Sequence, residues 1–516
     1  MKHTSHPWLQ RSRIFPSSLL GAAVMMTCPA QAASDFTPLN GTWIVSAEQD
    51  GKPGRGMAVD IQDGTLVMQV YNYQANGHPT FHLAVGAVNG NQVITPLNSY
   101  QGGRYFGSGP LSGTEDSNAG NVEINFTSAS QATVRFPGEQ PVAMQRFRFE
   151  STPQTDLPSA TWLLSLLDSS GQAVRSGLGS TTASNGEQRF SLLLADGSTA
   201  QTLCSYSLAL EGFNCLDNSG SAGIPVVKAQ VKTALNQISG YAQWGAVQYR
   251  LVGKRIGSKD GLDISTPTSE EMPVPNSGTW IVSGEKNGKP GRGMAIDVQT
   301  GTLVMQVYNY QADGKATFHL AVGSFSNGQA SAHLKSYQGG RYFGSGPLSG
   351  TEATDAGEVF LQFTSPTQGY VRFPGESAVA IERYQFAPQA PDLHSLMGTW
   401  SFSESTNHES SNVKLTKVEG DFASTAGGGV RCYFLNPTAA LVRCIETFSI
   451  TGRGSLYLKD YRFSLQGDIG IGKALKAGAL VVSGTVPDDS AANSGSLTAL
   501  RIEDRNGVKL GLGAPF

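Results

Sequence analysis

NSYQGGRYFGSGPLSGTE at 98–115 returns almost letter for letter as KSYQGGRYFGSGPLSGTE at 335–352. Working outward from this pair, a shift of 237 positions aligns Gly41–Glu139 with Gly278–Glu376 without a gap, about two-thirds of the positions being identical. Self-similarity on this scale fixes the architecture before any local pattern does. A second kind of segment begins Ala160-Thr161-Trp162 between the copies and Gly398-Thr399-Trp400 after them, so the order is A-B-A-B. The expected layout is a leader at 1–32, modules A1 at 34–151 and B1 at 156–257, a linker at 258–275, and modules A2 at 276–388 and B2 at 392–506. The linker is read from SKDGLDISTPTSEEMPVPNSG at 258–278, which is rich in Pro, Ser and acids.

Within A1 the apolar residues recur every second position. Met57, Val59 and Ile61 alternate with Ala58, Asp60 and Gln62, and Val122, Ile124 and Phe126 alternate with Glu123 and Asn125. That period means strand. GKPGRG at 51–56, DG at 63–64, NG at 76–77 and PGEQP at 137–141 supply the turns. The runs predict eight strands near 42–48, 56–62, 65–74, 79–86, 91–100, 120–128, 131–136 and 142–149. KAQVKTALNQI at 228–238, in B1, is the best helix candidate.

Eight antiparallel strands can stack as a sandwich or close on themselves, and closure removes the adhesive edges. Each module opens with a Trp (Trp43, Trp162, Trp280, Trp400) and carries an Arg on its last strand (Arg146, Arg250, Arg383, Arg501). In a closed meander first and last strands are neighbours, so the guanidinium can lie over the indole, a contact worth about 0.5–2 kcal/mol. The fold class expected is therefore all-β: four tandem up-and-down antiparallel β-barrels.

GTW at 41–43, 278–280 and 398–400, with Arg on the closing strand, resembles the GxW-and-Arg signature of calycin barrels, the group of lipocalins, fatty-acid-binding proteins and avidins. LVMQVYNYQANGHPTFHLAVG at 66–86 is similar to an uncharacterised repeat of secreted bacterial proteins. The resemblance implies the barrel and carries over no ligand. Ala160 replaces the signature glycine in B1.

The N-terminus has the layout of a cleaved secretory signal: a basic stretch Lys2–Arg13, an apolar run Leu19–Cys28 and Ala30-Gln31-Ala32 before the cut. A lipoprotein reading through Cys28 fits less well, since Met26 and Thr27 precede it. The expected location is periplasmic or secreted. Cys204 and Cys215 are paired by proximity, as are Cys432 and Cys444, so two local disulfides are expected in an oxidising compartment.

No run reaches the roughly 18 apolar residues of a membrane helix. The net charge of −3 with 15% charged residues offers no basic tract for nucleic acid. GxSxG, HExxH and Walker-type motifs are missing, and GSGPLSG at 107–113 lacks the Lys of a phosphate loop. No cofactor or metal is expected.

His82 and its copy His319 are single histidines on strands and read as hydrogen-bonded or surface residues. Asp60 and Glu115, with Asp297 and Glu352, recur in both copies and are the candidate acid–base pairs of a hydrolase, although Asp60 alternates outward as a solvated residue would.

The aromatics carry the main functional expectation. On the β-strand TLVMQVYNY, Leu66, Met68 and Val70 share one face and Gln69, Tyr71 and Tyr73 the other. With Tyr100, Arg104 and Tyr105, and with Gln306, Tyr308, Tyr310, Tyr337, Arg341 and Tyr342 in the second copy, they suit a sugar or another flat small molecule. The reading is an exported, non-enzymatic ligand- or glycan-binding protein acting on a small molecule, glycan or cell-surface polymer. Its rivals are a secreted hydrolase, a structural or adhesive surface protein and a protease inhibitor.

Overall fold

The structure is a computed structural model. It describes residues 36–149, 157, 159–184, 186–194, 197–207, 212–217, 227–234, 237–257, 274–299, 301–365, 367–388, 392–404, 409–436, 440–450, 454–476, 480–481 and 494–511. The expected signal segment, Cys28 and nearly all of the linker lie outside these residues.

All four modules are closed eight-stranded antiparallel barrels in tandem, and the described residues include no α-helix. A1 runs β1 (Gly41–Val45), β2 (Gly56–Gln62), β3 (Thr65–Tyr73), β4 (Pro79–Ala87), β5 (Gln92–Gln101), β6 (Thr114–Phe126), β7 (Gln131–Arg135) and β8 (Val142–Arg146), with β8 returning to pair with β1. The quoted stretch is the end of β5, a twelve-residue loop at 102–113 and the start of β6. A2 repeats this arrangement from Gly278–Val282 to Val379–Arg383. B2 closes between Leu441–Ile450 and Gly454–Gln466 and carries one extra two-residue strand, Leu480–Val481.

Period two does what it predicts. Met57, Val59, Leu66, Met68 and Val70 fill the inside of A1 with Trp43 and Phe126, all essentially inaccessible. The helix candidate at 228–238 is instead two strands, Val227–Ala234 and Gln237–Trp244. Ala229 and Val231 are buried between exposed Lys228 and Gln230, so the alternation outweighs the helical leaning of Lys and Ala once a barrel wall is there to cover one face.

Closure pairs Trp43 with Arg146, Trp280 with Arg383 and Trp400 with Arg501 across the seam. B1 departs: Arg255 stands opposite Trp162, while Arg250 stands opposite Leu167. The last strand of B1 is long, Val247–Gly257, and Arg250 donates to the carbonyl of Leu510 in B2. The expected guanidinium-over-indole contact occurs at Arg501 and Trp400, 5.4 Å from the ring centroid.

In A1 the guanidinium of Arg146 instead donates to the carbonyls of Asn40, Thr42 and Phe147. This explains the glycine of GTW. Gly41 has φ +120°, and a Cβ there would sit 2.3 Å from Arg146 Nη2.

Cys204 bonds Cys215 and Cys432 bonds Cys444, each pair directly opposed on adjacent strands of a B barrel. In the chain-entropy model a loop this short still contributes about 3 kcal/mol per bridge.

Candidate functional site: the clasp between the A barrels

The outward positions of β3 are Gln69, Tyr71 and Tyr73, as the alternation predicts, but they do not face solvent. The two A barrels lie against each other through these faces. Ala58, Tyr73 and Phe81 of A1 pack on Ala295, Tyr308, Tyr310 and Phe318 of A2. The rings meet edge to face, Tyr73 with Phe318 and Phe81 with Tyr310, both at 5.8 Å. Burial pushes the hydroxyl pKa of Tyr71, Tyr73, Tyr308 and Tyr310 well above its ordinary value.

Beside the aromatics lie two buried ion pairs. Arg383 holds both oxygens of Asp60 at 2.6 Å, and the Thr279 amide adds a bond of 2.9 Å. Reciprocally, Arg146 holds Asp297 at 2.6 Å, and the Thr42 amide donates at 2.8 Å. The closing arginine of each barrel thus reaches the second strand of its sister. Asp60 is outward, as expected, but not solvated: it is fully inaccessible because A2 covers it. Gln69 donates to Thr279 and Gln306 to Thr42, completing a polar frame.

The repeated loop crosses over. Gly113 donates to the carbonyl of Pro290, and Gly350 to that of Pro53. Phe343 of A2 packs against the core of A1, 5.3 Å from Phe136 and 5.0 Å from His82. Phe106 does the same in A2, against Phe373 and His319. Tight glycines let the loop lie flat: a Cβ on Gly340 would stand 2.1 Å from the Tyr73 ring, and one on Gly103 would stand 2.0 Å from the Tyr310 ring.

Around each inserted ring is a balanced charge cluster. Arg55 bonds Glu48 and Glu139, which also receive Arg341 from A2. Burial pushes the Glu139 carboxyl up, but Arg55 and the Gly344 amide more than offset this and hold its pKa below the ordinary value. Arg292, Glu285, Glu376 and Arg104 repeat the arrangement.

Of the residues expected to hold a ligand, Gln69, Tyr73, Gln306, Tyr308 and Tyr310 are therefore buried in the clasp. Tyr100, Tyr105, Tyr337 and Tyr342 stay partly exposed, while Arg104 and Arg341 are engaged in ion pairs. Among the candidate acid–base residues, Asp60 and Asp297 have both oxygens occupied. Glu115 and Glu352 are exposed on the outer ends of their strands, Glu352 bonded to Lys335. Among the described residues no group of three or more His, Cys, Asp or Glu is placed to hold a metal. Sequence reasoning noted Phe106 only as one more ring of a ligand-binding loop, and it missed Phe343, the charge clusters and the crossing of the ion pairs.

His82 and His319 are buried and hydrogen-bonded to Asn72 and Asn309. Burial lowers each imidazole pKa to about 4. A folded pKa below the unfolded 6.5 gives stability that is present above pH 6.5 and lost as pH falls toward 4. The loss amounts to about 3 kcal/mol per histidine. Melting curves at pH 7 and pH 4.5 should show the A barrels weakening in acid, and His82→Gln with His319→Gln should flatten that dependence. An unchanged slope in the double variant would remove the histidines as its source.

No protein-family model matches this sequence, and no curated protein matches it either.

Proposed function

We propose that this chain is an exported, non-enzymatic structural or adhesive protein that works through its outer surface. One observation carries the reading: the barrels are packed with their own side chains, and the polar-aromatic face that suited a ligand is used to join A1 to A2. An interior-binding role of the lipocalin kind would need an open cup. The two disulfides suit an oxidising compartment, and the GTW-and-Arg ends keep the calycin resemblance at the level of barrel architecture.

Surface labelling of intact producing cells, compared with culture supernatant, tests it. Labelled protein retained on the cells is expected. Protein found wholly in the supernatant, or purified with a stoichiometric lipophilic ligand, would sink the reading.

A second reading, glycan binding, is favoured by Tyr105 and Tyr342, aromatic rings left partly open at matching positions. A glycan panel probed with the full chain and with Tyr105→Ala/Tyr342→Ala separates the two, since a scaffold gives no signal in either.

A further inference from the structure

We infer that the clasp also accepts a second copy of this chain: the first half of one molecule, A1 with B1, pairs with the second half of another. The main contacts that join A1 to A2 occur twice with the roles reversed. Asp60–Arg383 is matched by Asp297–Arg146, Phe343 at His82 by Phe106 at His319, and Arg341–Glu48 by Arg104–Glu285. Gly102 donates to Gly314 as Gly339 donates to Gly77. The two surfaces are therefore self-complementary in the sense of a two-fold homodimer, built into one polypeptide.

The B barrels meet as well, so the halves pair as whole units. Ser176 bonds Ser401, Asn412 spans both backbone groups of Ala173, and Lys254 pairs with Asp468. Asp63 of A1 is paired with Arg505 of B2. All of these contacts run between one half and the other, and all re-form when the other half belongs to a different molecule. What favours the internal pairing is tethering alone, equivalent to an effective concentration on the order of millimolar for a short linker. Exchange of whole units at such a tether is a low-cost route to dimers.

The test uses the full chain with Cys28→Ser, Gln101→Cys and Lys315→Cys. Gln101 and Lys315 form an exposed antiparallel bridge between A1 and A2, close enough for a disulfide. Oxidation of the untreated variant should give a cross-link within one chain. Urea is then raised until that cross-link no longer forms, which marks the clasp as open, and is removed at low or high protein concentration before oxidation. Near about 1 µM the product should be a cross-linked monomer, and near about 1 mM roughly half the chains should run as covalent dimers on a non-reducing gel.

Internal cross-links alone at both concentrations would overturn the inference, as would dimers that lack the new cross-link. Native mass spectrometry of isotopically light and heavy unmodified chains, opened and mixed in the same way, should show hybrid dimers; their absence counts against exchange independently of the cysteine variant.

Discussion

Replacing Asp60 and Asp297 together by asparagine should be the most damaging conservative change in this protein. Each aspartate is buried and is the counter-ion of a buried arginine on the sister barrel. Asparagine keeps the shape and loses the charge, so Arg146 and Arg383 remain desolvated without compensation. Breaking a buried pair from one side costs about 3–5 kcal/mol, so the double variant should lose about 6–10 kcal/mol. For a unit of this size that lowers the melting of the A pair by about 20 °C. The B barrels, closed by their own seams and disulfides, should keep their transitions.

Calorimetry of the whole chain would separate the two. A loss below about 1 kcal/mol per site would place these pairs with solvated surface bridges and remove them from the clasp.

The second large effect concerns the inserted rings. Phe106→Ala with Phe343→Ala removes the side chain that packs against the core of each sister barrel. Truncating a packed phenylalanine costs about 3–5 kcal/mol, and these partly exposed rings belong at the lower end. The more telling readout is the imidazole. With Phe343 gone, His82 gains access to water, and its pKa should rise from about 4 toward the ordinary value. An NMR titration of the two histidines shows this directly. Histidines that still titrate near 4 would mean that their burial comes from the barrel wall rather than from the crossing loop.

Much of the fold is legible in the sequence, for identifiable reasons. Met57, Val59 and Ile61 announce a wall with one dry side, Trp43 and Arg146 announce the seam, and Cys204 with Cys215 announces a strand pair. These signals are local, or are tied to module ends. The clasp is different. Alternation says that Gln69 and Tyr73 leave the barrel, but not what meets them outside. Asp60 finds its counter-charge 323 positions away, beyond the reach of any spacing rule. A signal was nonetheless present: an acid at an outward position of β2 and an arginine on the closing strand recur in both copies, in a chain poor in charge. At 228–238 the failure runs the other way, because Lys and Ala favour helix locally and the barrel wall decides otherwise.

The crossing loops also set the timetable on which this protein can be made. A1 leaves the ribosome 237 residues ahead of the sister it must embrace. At synthesis rates of about 5–20 residues per second, its tyrosine face waits about 10–50 s for cover. Through that interval the newborn half is a sticky, unfinished object, and the cell must keep it from neighbours of its own kind.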